Sequence, residues 1–190
     1  MRLILAITGA SGTIYAENLL KVLAKNNNVE THLIVSNVAK KIMGIEGVSL
    51  SSLRDLASKA YENSDLSAAP ASGTFHWDSM VVIPCSMKSL SAIANGLELN
   101  LLLRAAQVTL KENRQLIVAP RETPLNSIQI ENMLNLSKAG ATVLPLCPAF
   151  YHKPSDILDL VDFISGKILN LLHLKQEILR EWNEGMNDEY

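Results

Sequence analysis

Apolar positions along this chain arrive in two rhythms. Residues 3–7 are an unbroken apolar run stopped by glycine, which predicts a strand buried on both faces of a parallel sheet. The period then changes: over residues 13–23, Ile14, Leu19, Leu20 and Leu23 fall on one face of a helix. Residues 30–35 predict a second strand, ending at Ser36-Asn37, which can cap a helix over 38–45 that Glu46 closes. Residues 51–62 predict another helix, opened by paired serines. From 63 to 74 the composition turns to Ser, Ala, Pro and Gly and periodicity vanishes. A loop of this length in a compact domain is functional or disordered, and Phe75-His76-Trp77 directly after it favours function.

The second half repeats the alternation. Residues 80–83 predict a strand, Pro84-Cys85-Ser86-Met87-Lys88-Ser89 a turn, and the stretch after it two helices, the second carrying Arg104 and Lys111. A strand over 115–119 runs into Pro120-Arg121-Glu122-Thr123-Pro124-Leu125. Residues 126–138 read as a helix ended by Gly140, 142–146 as a strand, and 147–154 as a loop holding Phe150, Tyr151, His152 and Lys153. Residues 155–174 form a long amphipathic pattern with Ile157, Leu160, Val161, Ile164, Ile168 and Leu171 on one face, followed by a polar tail carrying Trp182. Strands alternating with helices predict a three-layer, doubly wound, Rossmann-like α/β fold with a parallel sheet of about five or six strands. One domain spans residues 1–174, with 175–190 as a tail. An open sheet of this kind binds its ligand at the carboxyl ends of its strands, so the two polar strand exits between 79 and 125 are where chemistry is expected.

Composition narrows the ligand. A chain of 190 residues, 48% hydrophobic, suffices for one well-cored domain. Seventeen Lys plus Arg against nineteen Asp plus Glu, without a basic run, exclude an electrostatic footprint for nucleic acid or anionic lipid, and a small molecule becomes the default. Cys85 and Cys147 make neither a disulfide framework nor a zinc motif and read as small thiols in a reducing cytoplasm. The apolar run after Arg2 reads as a first strand rather than a signal peptide or membrane span. No Asp-Asp-x-x-Asp cluster is present to hold magnesium diphosphate, so phosphate would be bound by cations, hydroxyls and helix ends without an obligatory metal.

Five motifs and a lone lysine carry candidate chemistry. Gly9-Ala10-Ser11-Gly12 lies on a strand-to-helix turn, where backbone N–H groups and the helix dipole attract an anion; an ordinary tight turn reads equally well. The pattern is not a complete G-x-G-x-x-G, and the second strand ends in Ser36 rather than an acid, which favours a mononucleotide or flavin over a dinucleotide. Ser86 and Ser89 repeat the anion logic at another strand exit, or simply cap a helix. Arg121-Glu122 can clamp phosphate and shuttle protons, or pair with each other. Arg104 and Lys111, two turns apart, share a helix face that is either functional or solvated. Tyr151-His152-Lys153 and Lys167 have the same two readings, and His32 and His173 are assigned nothing.

Taken together, Gly9-Ala10-Ser11-Gly12, Ser36, Ala71-Ser72-Gly73-Thr74-Phe75, Pro84-Cys85-Ser86-Met87-Lys88-Ser89, Arg104-Ala105-Ala106, Leu110-Lys111-Glu112, Arg121-Glu122-Thr123-Pro124-Leu125 and Phe150-Tyr151-His152 resemble the UbiX family of flavin prenyltransferases. The segments occur in family order. The resemblance implies a flavoprotein that joins the dimethylallyl group of dimethylallyl phosphate to N5 and C6 of reduced FMN. The product, prenylated FMN, serves partner UbiD-type decarboxylases, as in ubiquinone biosynthesis. It further implies a cytoplasmic homododecamer built from trimers, with sites at subunit interfaces and the tail packed at one of them.

Carried over residue by residue, the resemblance gives FMN to Gly9, Ala10, Ser11, Ser36, Ser86, Met87, Lys88, Ser89 and Arg121, with Arg104 beside them. It gives the donor phosphate to Tyr151 and Lys167, helped by Lys111, Arg104 and Arg121, and proton transfer to Glu122 with Ser11 and Glu46. No metal is implied. Trp77 or Trp182 would wall the prenyl group. Lys167 departs from the arginine usual in the family, replacing a bidentate clamp with a point charge, which bears on donor choice. Asn113 and Trp77-Asp78-Ser79 depart as well. Two other readings share the fold: an FMN-dependent cysteine-type decarboxylase, and a non-catalytic flavin carrier.

Overall fold

The computed structural model describes residues 1–179; of the expected tail over 175–190, Trp182 and the other residues from 180 on lie outside the described residues. Six parallel strands form one sheet: β1 (Arg2–Ile7), β2 (Glu30–Val35), β3 (Lys59–Glu62), β4 (Ser79–Cys85), β5 (Gln115–Pro120) and β6 (Thr142–Val143), in the order β3-β2-β1-β4-β5-β6. The order reverses between β1 and β4, which defines the topological switch point. Helices α1 (Thr13–Leu23), α2 (Asn37–Glu46) and α3 (Leu50–Leu56) group together, as do α4 (Met87–Ala94), α5 (Leu101–Lys111) and α6 (Ser127–Lys138). These elements make one compact unit, Met1–Leu146. A second unit opens at Cys147 and contains α7 (Ile157–Leu171).

The unbroken apolar runs are explained by burial on both sides of the sheet. Ile4, Ala6, Ile34, Met80, Val82, Leu116 and Val118 point one way, into a core completed by Trp77 and the apolar residues of α4 and α5. Their alternates Leu3, Leu5, Ile7, Leu33, Val81, Ile83 and Ile117 are equally buried on the other side. Each of these side chains larger than alanine contributes about 1.5–3 kcal/mol by leaving water. Trp77 is fully buried, its Nε1–H donates to the Thr109 hydroxyl at 3.1 Å, and the Arg114 guanidinium lies 4.2 Å from its ring centre. Trp77 is therefore a core residue of the first unit.

Most helices start where the chain offers a short polar side chain. Ser36, Ser49, Ser86, Asn100, Asn126 and Asp156 each accept a hydrogen bond from a first-turn N–H, and Asn126 forms a full capping box with Gln129. Helix α1 is the exception: Gly12, at φ 104°, supplies no side-chain cap.

Several expectations are corrected. The helix expected over 51–62 stops at Leu56, and Lys59–Glu62 is instead a parallel edge strand on β2. Its residues are mostly exposed, so no apolar alternation marks it; Glu62 is held there by ion pairs from Lys40 and Arg54. Pro84 and Cys85, expected in a turn, belong to β4, which continues through a cis Ile83–Pro84 bond with a register shift between Val82 and Cys85. β6 is only two residues long, and α7 runs from 157 to 171 rather than 155 to 174. The loop over 63–74 is tied down: a 3-10 turn forms at Ala69–Ala71, Arg104 Nε donates to the Ala71 carbonyl, and Arg114 donates to those of Gly73 and Phe75.

Candidate functional site

Four adjacent strand exits meet at the switch point. The Ser36 N–H donates to the Ile7 carbonyl, and the Ser86 N–H donates to the Thr8 hydroxyl at 2.6 Å. Thr8 in turn donates from both N–H and Oγ1 to the Pro84 carbonyl. Buried Thr8 thus stitches the ends of β1 and β4, and it sets the serine-capped starts of α2 and α4 on either side of the β1 exit. Next in sheet order, the Arg121 N–H donates to the Cys85 carbonyl, while its Nε donates to the Ser11 carbonyl at 3.1 Å. The guanidinium spans the edge to the glycine turn. Ser11, Lys88, Arg121 and Glu122 are all exposed.

The glycine turn does not offer its helix end freely. Glu46, closing α2, places its carboxylate on the N–H groups of Gly12 and Thr13 and on the Thr13 hydroxyl, at 2.6–3.2 Å. It is the cap that α1 lacks, supplied from 33 residues away. Burial works to raise its pKa, but the Ser11 and Thr13 hydroxyls and the two N–H groups outweigh it and hold the carboxyl below its ordinary range. The anion at the start of α1 is therefore the protein's own carboxylate, and the helix starts left for a ligand are those of α2 and α4. Gly9 also has a use that its motif does not reveal: a Cβ there would overlap the Val38 side chain, so the glycine lets β1 exit close against α2.

The exposed edge carries the expected acid. One Glu122 carboxylate oxygen accepts from the Thr123 N–H at 3.1 Å, just before a cis Thr123–Pro124 bond. Cys85 is fully buried and its thiol pKa is pushed up by burial, which removes it as a nucleophile, while Cys147 is exposed. Among the described residues no group of His, Cys, Asp and Glu side chains is arranged to hold a metal ion.

Not all the expected residues share this edge. Lys111 ends α5 just before β5 begins, so it lies at the amino edge of the sheet, where it pairs with Glu112 beside Gly73. Arg104, one turn into α5, is taken by Ala71 and by both carboxylate oxygens of Glu98 at 2.8–2.9 Å. In the second unit, Tyr151 and Lys167 gather around the buried ring of Phe163, Tyr151 edge-on at 6.0 Å and the lysine ammonium 5.8 Å from the ring centre. Thr8 and Val38 are the positions at this edge that the motifs do not single out. A lone threonine at a strand end carries no periodic signal, and Val38 looks like any apolar helix residue.

The donors of the first unit fit an FMN. Two serine-capped helix starts with Lys88 nearby suit a monophosphate, and Arg121 and Ser11 offer charge and hydrogen bonds to a polar ring edge. The half-exposed Val38 beside them offers an apolar surface for a flat ring.

The family model described as Flavoprotein matches residues 1–169. A relative from Methanocaldococcus jannaschii, named flavin prenyltransferase UbiX, is 48% identical over 183 residues, covering 96% of this chain and 98% of its own. A crystal structure of a dodecameric FMN-dependent UbiX-like decarboxylase from Escherichia coli O157:H7 superposes with a TM-score of 0.94 at 41% identity, covering 96% of this chain and all of that one. The crystal structure of AnUbiX (PadA1) in complex with FMN and dimethylallyl pyrophosphate gives a TM-score of 0.92 at 41% identity over 96% of this chain and 97% of that one. On a family match over most of its length and on relatives of this identity and coverage, the chain belongs to the UbiX family of flavin prenyltransferases.

Proposed function

We propose that this protein transfers the dimethylallyl group of dimethylallyl phosphate to N5 and C6 of reduced FMN, releasing phosphate and giving prenylated FMN for a UbiD-type decarboxylase. The observation that carries the reading is the meeting of four adjacent strand exits at the switch point. There, hydroxyls, two helix starts and Arg121 gather where an anionic flavin would bind, and Glu122 stands exposed. The flavin supplies the electron-rich ring atoms at which the new bonds form. The chain supplies the rest. Gly9, Ala10, Ser11, Ser36, Ser86, Met87, Lys88, Ser89 and Arg121 hold FMN. Tyr151 and Lys167 bind the donor phosphate and stabilise the negative charge that grows on oxygen as the allylic C–O bond breaks. Glu122 relays protons during ring closure, and Glu46, clamped by Gly12 and Thr13, orients Ser11.

Lys111 and Arg104 act in this reading on the site of a neighbouring copy, since Lys111 lies at the amino edge of its own sheet and Arg104 is engaged by Ala71 and Glu98. Exposed Ile45, Leu99 and Ile128 support assembly into a homododecamer. No described helix is long and apolar enough to cross a membrane. In this reading the protein is a cytoplasmic cofactor supplier to pathways such as ubiquinone biosynthesis.

Anaerobic incubation with reduced FMN and dimethylallyl phosphate, without added metal, tests the reading by mass spectrometry of the released flavin. A mass gain of one prenyl unit is expected. Unmodified FMN with both the monophosphate and the diphosphate donor would overturn it in favour of a flavin carrier.

A further inference from the structure

Among the described residues, the buried side-chain polar atoms without a hydrogen-bond partner are the two ring nitrogens of His152. The imidazole stacks nearly flat on Phe163, with ring centres 5.6 Å apart and planes 11° from parallel. Tyr151 stands edge-on to both rings at 6.0 Å, and Lys167 approaches the same phenyl ring. Three polar side chains thus surround one buried aromatic ring. Asp159, in the first turn of α7, already accepts from the N–H and hydroxyl of Ser155 at 2.7–2.8 Å. The loop delivering the imidazole is tightly set: the Lys153 N–H donates to the Phe150 carbonyl, and Lys153 takes a left-handed φ of 53°, which lysine rarely adopts.

An imidazole carries at least one N–H donor in either charge state, and burying it without a partner is unfavourable unless something polar arrives. Stacking needs only the ring; a phenylalanine would stack as well and leave no nitrogen unpaired. The neighbours identify what arrives. A lysine ammonium and a phenol beside an imidazole form a set of three donors, and a tetrahedral oxyanion accepts from all three. The ammonium acts as a point charge, so the directional bonds must come from the phenol and the imidazole.

We propose that His152 is a third phosphate-binding residue of the prenyl donor, donating a ring N–H to a phosphate oxygen once Tyr151 and Lys167 turn onto that group and uncover the imidazole edge. The assignment rests on the reading that Tyr151 and Lys167 hold the donor phosphate. His152 then fixes the orientation of the leaving group, not its chemistry.

The test uses the full-length, FMN-loaded protein. With 15N-labelled histidine, inorganic phosphate is expected to shift the His152 ring nitrogens, whether or not the protein turns over any prenyl donor. In steady state, His152→Phe keeps the stack and removes the nitrogens; it is expected to raise the KM for dimethylallyl phosphate about tenfold, the size of one lost charge-assisted hydrogen bond, with FMN affinity unchanged. His152→Gln, which retains an N–H, is expected to recover part of the loss. If the wild-type protein transfers no prenyl group, the function above fails, and the phosphate titration alone still decides for or against this contact. Absence of the phosphate-induced shift, or an unchanged donor KM in His152→Phe, overturns the proposal and leaves His152 as a packing ring.

Discussion

The two edges of the sheet treat charge in opposite ways. At the amino edge, Arg2 donates to Glu30 and to the His76 carbonyl and lies 4.7 Å from the ring centre of Phe75. His32 is bonded to both Glu30 and Tyr61 at 2.8 Å, and Arg114 covers Trp77. An open hollow of about 560 Å³ lies there, lined by Met1, Arg2, Asn28, Glu30, Ser58 and His76, yet Met1, Arg2 and Glu30 are already matched within the fold. At the carboxyl edge the hydroxyls of Ser36 and Ser86 start helices, while Ser11, Lys88, Arg121 and Glu122 face outward. Pairing charges within the chain stabilises structure; on the function proposed above, the groups left exposed at the switch point serve the ligand. A hollow alone is therefore a poor guide to function, and exposed polar groups at a switch point are a better one.

This contrast predicts a sorting of mutational effects. The largest belongs to the carboxyl edge: Glu122→Gln is expected to slow prenyl transfer about 10²–10³-fold in anaerobic single-turnover measurements while FMN still binds. Normal turnover would remove Glu122 from the proton path and blur the distinction between the edges.

Behind the amino edge the expected loss is in stability instead. Thr109→Val deprives the buried Trp77 indole N–H of its acceptor and costs about 1–3 kcal/mol, read as a lower denaturation midpoint with flavin affinity intact. A loss of FMN binding in the folded variant would show that the two regions are coupled.

The smallest effect is a pH dependence. Burial pushes the His32 pKa down, against the upward pull of Glu30, so the fold favours the neutral imidazole. Between the lowered folded value and the ordinary 6.5 the unfolded chain binds more protons, so this contribution to stability is present above pH 6.5 and declines as pH falls below it. Denaturation midpoints compared between wild type and His32→Gln across that range are expected to show a shallower slope in the variant. Equal slopes would mean that the His32–Glu30–Tyr61 cluster does not sense pH.

Much of the site is legible in the amino-acid order. Ser36 and Ser86 announce two helix starts at strand exits, and the helix over 13–23 and the strand over 30–35 have the bounds that their periodicity predicts. Other features are illegible for identifiable reasons. The edge strand Lys59–Glu62 has only one partly buried side chain, so no alternation betrays it. Glu46 reads locally as the end of α2, and nothing near it in sequence says that its carboxylate caps α1. That Lys111 pairs with Glu112 at the opposite edge from Ser11, and that Arg104 is engaged by Glu98 and Ala71, is set by the fold and leaves no local signal either.

The order of residues by itself determined the alternation of strands and helices, the places where helices start, and the residue types available to a flavin and a phosphate. These are local properties: side-chain period, capping hydroxyls, glycine at a turn. Tertiary structure decided which polar groups were consumed by one another and which stayed available. That depends on neighbours tens of residues away. Glu46 fills a helix end that its sequence neighbours do not contain, and Thr8 joins two strand exits 76 residues apart.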